Sequence, residues 1–425
     1  MAEMKDSGTA WLGMIPKDWE LSKISSIYEL RTQKVSDKDY PPLSVTMNGI
    51  VPQLDSAAKT NAHDDRKLVK KGDFAINSRS DRRGSCGVSE YDGSVSLINT
   101  VMKPRDEMNP DYYNWLFHTI QFADEFYKWG HGIVDDLWTT NWQDMKHIDI
   151  PVPTLDEQKV IADYLNKAIP EIDALHMDIE KQIETLEEYK KSIITEAVTK
   201  GLNPDVEMKD SGIEWIGMIP KHWNVMRTKY ASENLSKGNG ITKDEIKNDG
   251  NIQCIRYGEI YSKYDGSILK CFSKTKKELI SSPKYISKGD ILFAGTGELV
   301  EEIGKNVVYM GDGDCLAGGD IIVMKHNQNP VFFNYALNST YSQAQKSKGK
   351  AKLKVVHISA ADIGNIFVAI PPKKEQKKIA IILEKKCFEI NCAINEKKEQ
   401  LDTLEQYKKS LIYEYVTGKK EVLNG

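Results

Sequence analysis

The chain has 425 residues, of which 40% are hydrophobic and 28% are charged, and its formal net charge is −4. This length exceeds what one hydrophobic core usually serves, so two or more domains are expected. No apolar run reaches the roughly 18 residues that a membrane span requires, and the N-terminus is charged where a signal peptide would be apolar, which predicts a cytoplasmic protein with no membrane segment.

Six cysteines are scattered through the chain without any C-x-x-C pair. Structural zinc sites and disulfide frameworks both depend on characteristic cysteine spacings. The distribution therefore favours reduced thiols packed in the interior, and no metal site is predicted.

The chain begins with a motif that it later repeats. MKDSGTAWLGMIPKDW at 4–19 returns as MKDSGIEWIGMIPKHW at 208–223, with twelve of sixteen positions identical. TLEEYKKSIITEAVT at 185–199 returns as TLEQYKKSLIYEYVT at 403–417, with eleven of fifteen identical. The offset grows from 204 to 218 residues, so the middle of the second copy is 14 residues longer. Such self-similarity predicts two tandem units of one architecture.

The regions between the matched ends share only short islands, such as KKGDFAI at 70–76 and SKGDILF at 287–293. Short β-rich runs alternate there with amphipathic stretches that begin with proline, at 110–129 and 330–345, so each middle region is expected to fold as an α+β domain. Two copies whose ends are similar in sequence and whose middle regions differ indicate one scaffold with two different recognition surfaces. Ordinary drift of loops after duplication is the alternative.

The segment after the first middle region carries a heptad seam. Apolar residues from Ile161 to Ile193 alternate spacings of four and three, which is typical of a coiled coil. Pro170 interrupts the seam. It is predicted to open a new helix that runs to about Val198, after a shorter helix from about Asp156.

The second copy repeats this seam with a few polar breaks, and neither tail would be stable as a free helix. Residues 155–207 contain six Lys and Arg against thirteen Asp and Glu, whereas 373–425 contain twelve against nine. The opposite charges predict that the two tails pair with each other inside one chain, and pairing between chains is the alternative. The residues predicted to pack in the seam are Ile172, Leu175, Ile179, Leu186, Tyr189, Ile390, Leu404, Tyr407 and Leu411.

The order and duplication of these motifs resemble the specificity (S) subunit of Type I restriction-modification systems, over nearly the whole chain. The resemblance rests on W-x-G-x-I-P-x-x-W at Trp11–Trp19 and Trp215–Trp223, on KGD before a strand, on P-x-P-x-x-x-E-Q at Pro151–Gln158 and on the helix end LEEYKKSIITEAVTKG. The second copy departs from the pattern with IPPKKEQ at Ile370–Gln376, which affects only a loop.

The resemblance implies an α+β fold with two target-recognition domains at 1–154 and 208–372. Two long antiparallel helices at 155–207 and 373–425 would join them as an intramolecular coiled coil, in a pseudo-twofold tandem repeat. Each domain would recognise one half of a bipartite asymmetric target on double-stranded DNA. The helices would space the domains and dock two adenine methyltransferase (M) subunits, which hold S-adenosylmethionine and can recruit restriction–translocase (R) subunits. The chain itself would have no catalytic site and no cofactor.

The length of the helical tail is compatible with this arrangement. A helix over 171–198 would be roughly 42 Å long at about 1.5 Å per residue. That length matches about 12 base pairs, close to one turn of the duplex. Two domains so spaced could address the same side of the DNA.

In the first region, INSRSDRRGSCG at 76–87 places arginines in a glycine-punctuated loop after a predicted strand. Arginine can bond guanine O6 and N7 bidentately, and small polar side chains can supplement it. A solvated turn in which Asp81 neutralises one arginine is the alternative. The predicted DNA contacts are Asn77, Arg79, Ser80, Arg82 and Arg83.

In the second region, LSKGNGITK at 235–243 offers basic and polar residues in a loop that follows the opening motif. KSKGKAKLK at 346–354 carries lysines on alternate residues, which favours phosphate neutralisation. An exposed loop and a solvated helix end are the alternatives. The predicted DNA contacts are Lys237, Asn239, Thr242, Lys243, Lys346, Lys348, Lys350 and Lys352.

Two other functions are weighed against this one. GDILFAGTGE at 289–298 resembles the glycine loop with which amino-methyltransferases hold S-adenosylmethionine, so a methyltransferase in its own right is one alternative. The chain lacks a [DN]-P-P-[FYW] motif to orient a target amine, and a lone glycine loop is weak evidence. A coiled-coil scaffold that binds only protein is the other alternative.

Overall fold

The computed structural model describes residues 3–53, 63–105, 108–132, 138–280, 282–297, 299–349 and 356–422. The chain divides into two compact units, residues 1–180 with 398–425 (unit 1) and residues 181–397 (unit 2). Each unit combines small sheets with short helices and includes part of each of two long helices, which confirms the predicted α+β class. Within the described ranges, no helix is both long and apolar enough to cross a membrane.

Residues 398–425 complete unit 1. The first half of the chain forms the rest of this unit and ends with a long helix that continues into unit 2. Its elements in chain order are β1 (Met4–Asp6), β2 (Met14–Pro16), β3 (Glu20–Lys23), α1 (Ile24–Ile27), β4 (Tyr28–Leu30), β5 (Lys34–Val35), β6 (Leu43–Thr46), β7 (Gly49–Pro52), β8 (Arg66–Val69), β9 (Phe74–Asn77), β10 (Cys86–Val88), β11 (Gly93–Val95), β12 (Asn99–Pro104), α2 (Pro110–Phe117), α3 (Ile120–Lys128), α4 (Trp142–Met145), β13 (Asp149–Val152) and α5 (Leu155–Lys200).

The main sheet of unit 1 is antiparallel, in the order β10-β9-β12-β4. Helices α2 and α3 pack their aromatic side chains against it, with Phe117 meeting Phe74 at a ring-centroid distance of 5.1 Å. The amphipathic stretch at 110–129 thus forms two helices. Thr119 separates them, because its hydroxyl accepts the Phe122 N–H and so caps a new helix.

The elements of the second half of the chain repeat this plan, with some additions in unit 2. They are β14 (Met208–Asp210), β15 (Met218–Pro220), β16 (Asn224–Arg227), α6 (Thr228–Ala231), β17 (Ser232–Lys237), β18 (Ile252–Ile255), α7 (Tyr257–Ser262), β19 (Ser267–Ile268), β20 (Ser273–Thr275), β21 (Tyr285–Ile286), β22 (Ile291–Ala294), β23 (Thr296–Gly297), β24 (Asn306–Tyr309), β25 (Cys315–Ala317), β26 (Ile321–His326), α8 (Pro330–Asn338), α9 (Thr340–Ser347), β27 (Val356–His357), α10 (Ala360–Gly364), β28 (Phe367–Ile370) and α11 (Lys373–Val416).

The main sheet of unit 2 has the order β17-β26-β22-β24-β19. Its first four strands are the counterparts of β4, β12, β9 and β10, in the same order and with the same antiparallel pairing. β19 is an addition that pairs in parallel with β24. The two units therefore share one scaffold, which confirms the predicted tandem repeat.

The units differ most between the first strand of the main sheet and the strand before the KGD motif. In unit 1 this segment has 35 residues, 31–65, and includes β5, β6 and β7. In unit 2 it has 47 residues, 238–284, and includes β18, α7, β19 and β20. We call these two stretches the variable segments.

The KGD motif forms the same turn in both units. Gly72 has φ 88° and Gly289 has φ 98°, values that favour glycine. The carboxylate of Asp73 accepts the Lys70 N–H at 2.8 Å, and that of Asp290 accepts the Ser287 N–H at 2.9 Å. The motif is repeated because it turns the chain into the buried strand at the centre of each sheet.

The opening motif and the E-Q pair meet in each unit. The Trp19 indole N–H donates to Glu157 at 3.1 Å, and the Trp223 indole N–H donates to Glu375 at 2.8 Å. Each tryptophan is buried, so the motif attaches the start of a domain to the start of its own long helix. The repeated opening of the sequence is thus a structural joint.

The neighbouring glutamine makes a second joint. The buried Gln158 side chain accepts the Asn109 N–H at 2.8 Å and donates to the Pro153 carbonyl at 2.9 Å. Gln376 makes the same two bonds, at the same distances, to Asn329 and Pro371. Each glutamine therefore connects a long helix to the residue that precedes a short helix, which is α2 in unit 1 and α8 in unit 2.

Helix α5 is continuous from Leu155 to Lys200 and contains Pro170 in its interior. The prediction that Pro170 opens a separate helix is wrong. An interior proline loses one backbone bond at a cost of about 3 kcal/mol. The preceding turns are held by Leu165 and Ile169, which are buried in the core of unit 1, so tertiary packing outweighs that cost.

In unit 1 the two long helices pair in antiparallel fashion. Tyr164 stacks on Tyr415 with ring centroids 4.5 Å apart, and nine residues further along α5, Asp173 accepts a hydrogen bond from Lys408. A higher residue number on α5 is thus paired with a lower residue number on α11, which shows that the two helices run antiparallel. The ion pair of Asp173 with Lys408 joins an acidic residue of the first tail to a basic residue of the second, as the opposite charges of the tails predict.

In unit 2 the helices pair in the same sense. Lys397 donates to Gln182 at 2.5 Å, and Lys190 donates to Asn391 at 2.8 Å. The offset of 218 makes Lys190 the counterpart of Lys408 and Asn391 the counterpart of Asp173. Because asparagine carries no charge, Asp265 from the variable segment supplies the carboxylate, 2.9 Å from Lys190. The predicted intramolecular pairing of the tails is confirmed.

The residues predicted for the seam divide into three groups. Ile179, Ile390 and Leu411 are buried, and Ile172, Leu186 and Leu404 are half-buried, as expected for helix packing. For the other three the prediction of packing is wrong, because their side chains are about half exposed. They are Leu175, Tyr189 and Tyr407.

All six cysteines are free thiols, and five of them are buried. Burial raises the pKa of the Cys254 thiol to about 12, which keeps it protonated. Among the described residues no group of His, Cys, Asp and Glu has the arrangement of a metal site.

Candidate nucleic-acid interface

The arginine loop predicted from the sequence lies on one wall of an open groove in unit 1. β9 ends at Asn77, a single 3-10 turn covers Ser80–Arg82, and Gly84 turns the chain with φ 77° into β10. We call this the arginine groove. Its lining includes Ser44, Thr46, Met47, Gln53, Arg66, Asn77, Arg79, Arg82, Arg83 and Asn99.

The loop holds Arg79 by its backbone. Its N–H donates to the Asn77 side chain at 3.1 Å, and its carbonyl accepts the Tyr127 hydroxyl at 2.7 Å. Among the described residues, no carboxylate lies within 4.0 Å of the Arg79 guanidinium. The backbone is fixed, and the charged end has no acidic partner in the part of the chain that the structure describes, which suits an arginine that binds an external anion or a base edge.

The other two arginines have acidic neighbours. Arg82 and Arg83 are exposed; Arg82 lies 3.7 Å from Asp81, and Arg83 is paired with Asp124. Asp81 thus accompanies one arginine, as the solvated-turn alternative supposes. These exposed pairs contribute little to stability, so their arginines can exchange a carboxylate for a phosphate at small cost.

The facing wall comes from the variable segment. The hairpin of β6 and β7 contributes Ser44 and Thr46, and at its tip Met47 is 69% exposed. The floor contains Arg66, which sequence reasoning missed. This arginine is buried and donates to the Ser94 hydroxyl at 2.8 Å and to the Ser94 carbonyl at 2.9 Å. Burial lowers its pKa, but a guanidinium keeps its charge and makes the floor positive.

In unit 2 the loop 235–243 holds two kinds of residue. Lys237, Thr242 and Lys243 are exposed, as a DNA contact requires. Asn239 is buried, and its amide donates to the Ser282 carbonyl at 2.7 Å and accepts the Lys284 N–H at 2.8 Å. The prediction that Asn239 contacts DNA is contradicted, since both ends of its amide hold the variable segment together.

Among its described residues, the lysine-rich stretch that begins in the last turn of α9 has one buried lysine and one exposed lysine. The prediction that Lys346 neutralises a phosphate is wrong: the side chain is 2% exposed, and its ammonium donates to the Gly304 carbonyl at 2.7 Å and to Asn306 at 2.9 Å. Lys348 is exposed, with its ammonium 4.8 Å from the centre of the Trp215 ring. Lys350 and Lys352 lie outside the described residues, so their role stays a prediction.

The glycine loop at 289–298 is accounted for by packing. A Cβ on Gly295 would lie 2.8 Å from the Asp320 carbonyl oxygen, and one on Gly297 would lie 3.0 Å from the Tyr261 hydroxyl. Asp290 is buried in the turn before β22, where its carboxylate is bonded to Ser287. These residues therefore serve close backbone packing, which does not fit the cradle of a nucleotide cofactor.

Unit 1 thus has a groove whose cationic side chains lie on β8 and the arginine loop and whose facing wall is the variable segment, and unit 2 has the same scaffold with a different variable segment. A repeated scaffold with unlike basic surfaces defines a modular nucleic-acid recognition protein. The chain belongs to the Type I restriction modification DNA specificity domain family, whose model matches residues 16–185 and 220–406.

The chain is similar to curated specificity subunits along most of its length. It is 24% identical over 433 residues to the Type I restriction enzyme MjaVIII specificity subunit of Methanocaldococcus jannaschii, covering 96% of this chain and 95% of that one. It is 23% identical to the StySPI specificity subunit of Salmonella potsdam, covering 86% of this chain and 81% of that one.

Two solved structures share the fold. A chain from a structure described as the basis of complex assembly and conformational transition of the type I R-M system has a TM-score of 0.74 at 13% identity, covering 96% of this chain and 99% of that one. The HsdS subunit of Thermoanaerobacter tengcongensis has a TM-score of 0.54 at 15% identity, covering 96% and 98%.

Proposed function

We propose that this chain is the sequence-recognition subunit of a Type I restriction-modification complex and that each unit recognises one half of a bipartite asymmetric target on double-stranded DNA. The observation that carries this function is the pairing of one repeated scaffold with two unlike variable segments. Identical readers would impose a palindromic target, whereas unlike readers give two unlike half-sites.

The long helices are proposed to dock two methyltransferase subunits, which in a restricting complex recruit restriction–translocase subunits in turn. S-adenosylmethionine would be bound by the methyltransferase subunits, and this chain would act without a catalytic site of its own. The packing of Gly295 and Gly297 against the protein supports this division of labour. The role places the complex in the cytoplasm, with the chromosome.

A coiled-coil scaffold that binds only protein is the competing function. The arginine groove argues against it, because Arg79 has no acidic partner among the described residues and lies beside hydrogen-bonding groups of the kind that read base edges. DNA retention at moderate salt separates the two functions.

The test uses the complex of this chain with its methyltransferase subunits and a duplex that carries the genome's methylated bipartite motif. We expect Arg79→Ala with Arg83→Ala to reduce discrimination at one half-site by roughly tenfold to a hundredfold, because bidentate contacts to a base are lost. Competition against duplexes with either half-site scrambled measures this loss.

The matched control is Arg105→Ala. Arg105 is an exposed arginine of unit 1 that lies 3.8 Å from Glu29 and outside the arginine groove, so discrimination should be unchanged. The proposed function fails if the parent complex binds the motif no better than a random duplex.

A further inference from the structure

The variable segment of unit 2 contains a groove that the sequence did not point to. Its walls are α7 with the residue before it, the residue that precedes β20, the loop that carries Lys243, and the turn between β25 and β26. We call it the aromatic groove. Its functional groups are Lys243, Arg256, Tyr257, Glu259, Lys263 and Phe272.

A buried carboxylate joins the two walls of this groove. Glu259 is 5% exposed; it accepts the Arg256 N–H at 3.1 Å, and its other oxygen lies 3.3 Å from the Arg256 guanidinium. That oxygen also accepts the hydroxyl of Ser273 in β20. Arg256 is therefore held from its Nε side, and its side chain, which is 39% exposed, lines the groove.

The two aromatic side chains of the groove are exposed on a rigid frame. Tyr257 is 41% exposed and Phe272 is 67% exposed. Phe272 lies between the buried residues Cys271 and Ser273, and its N–H donates to the Tyr264 hydroxyl at 3.0 Å. An exposed ring on a fixed backbone loses little conformational entropy when it meets a flat partner, which suits base contact.

The charges of the groove favour an anionic partner. Lys243 and Lys263 are exposed, and the Lys263 ammonium lies 5.8 Å from the centre of the Phe272 ring. Asp320 is the exposed acid of the lining, and the carboxylate of Glu259 is already bonded to Arg256 and Ser273. Cations interleaved with exposed rings are the pattern of a nucleic-acid surface.

The counterpart of the arginine loop cannot serve this purpose in unit 2. The loop between β22 and β24, residues 295–305, has the sequence GTGELVEEIGK, with three glutamates and one lysine. Such a charge would repel phosphates. If unit 2 reads DNA, it must do so through a different surface from the one that unit 1 uses.

We propose that the aromatic groove is the base-reading surface of unit 2, in which Arg256 bonds the edge of a base, Phe272 contacts the face or methyl group of a base, and the two lysines bind phosphates. The assignment deepens the proposed function and rests on it. Glu259 is then a positioning residue, because it orients Arg256 and joins the elements that carry Tyr257 and Phe272.

The experiment uses the complex with methyltransferase subunits and the three duplexes described above: cognate, first half scrambled and second half scrambled. Arg256→Lys keeps the charge and removes bidentate bonding. Phe272→Ala removes the exposed ring together with its contact to the Tyr264 ring, whose centroid lies 5.5 Å away. We expect each variant to reduce discrimination at one half-site by roughly tenfold to a hundredfold. This half-site should be the one at which the double variant Arg79→Ala with Arg83→Ala leaves discrimination unchanged.

Leu269→Ala is the matched control, since Leu269 is an exposed apolar residue of the same unit, 75% exposed and outside the groove lining. The proposal is overturned if both groove variants bind like the parent, or if they weaken all three duplexes equally, which would mean phosphate contact alone. It is also overturned if the variants lose methyltransferase subunits instead, which would make the groove a protein-docking surface. A parent complex without any preference for the cognate duplex would refute the proposed function itself.

Discussion

At the scale of single residues, burial decides which polar groups of a motif can meet a partner. Lys346 and Lys348 are two positions apart in one lysine-rich stretch, and the structure buries the first and exposes the second. Lys346 lies one helical turn after Ser342, whose side chain is fully buried in α9, so both side chains lie on the buried face of that helix. The alternating lysines were predicted to neutralise phosphates, whereas the helical period decides the burial of Lys346.

The environment of Lys346 predicts a measurable pH dependence. Burial lowers the pKa of its ammonium from 10.5 to about 7 in the folded chain. Between pH 7 and 10.5 the unfolded chain therefore binds more protons at this residue, so the free energy of unfolding rises with pH across that window. Lys346→Met should flatten this rise, as urea unfolding at pH 7 and pH 9 would show.

The control for this prediction is Lys348→Met, which removes the same charge from an exposed neighbour. Its pH dependence should match that of the parent. If Lys346→Met and the parent gain the same stability between pH 7 and pH 9, Lys346 is not the source of the effect.

At the scale of elements, the repeated motifs predicted the frame of the fold but not what each motif joins. The tryptophan and glutamine of each copy make contacts with residues that no local pattern identifies, such as Asn109, which is 49 positions from Gln158. Pro170 was misjudged for a related reason, since the side chains that hold its helix together belong to the core of unit 1. The variable segments were recognised as divergent, yet α7 and its groove could not be predicted, because no counterpart in unit 1 defines them.

The glutamine joints should stabilise their own units by similar amounts. Gln158→Ala leaves the Asn109 N–H and the Pro153 carbonyl without their partner, which should cost about 1–3 kcal/mol. Gln376→Ala should cost at least as much in unit 2, because the two bonds that it shares with Gln158 have the same lengths and its amide also donates to the Gln328 side chain at 2.9 Å. Hydrogen exchange resolved along the chain would detect lost protection in β9 and β12 for the first variant and in β22 and β26 for the second.

Gln406→Ala is the control for both, since Gln406 is exposed on α11. Protection in the two main sheets should then be unchanged. Equal loss of protection in both units from either joint variant would contradict the assignment of each glutamine to its own unit.

At the scale of the whole molecule, duplication explains both the sameness and the difference of the two halves. The scaffold repeats because the joints, the KGD turns and the antiparallel helix pairing are needed twice. The charge difference between the tails predicted that pairing from the sequence, and the counterparts Asp173 and Asn391 show how it was adjusted, since Lys190 takes its carboxylate from Asp265. The aromatic groove of unit 2 could not be predicted, because it depends on which side chains the variable segment leaves exposed.

In the proposed function, this chain decides which DNA sequence its complex modifies. Genome-wide sequencing of methylated adenines, in cells with and without this chain, tests this role. We expect one bipartite asymmetric motif that is methylated only when the chain is present. Persistence of the same methylated motif after removal of the chain would contradict it.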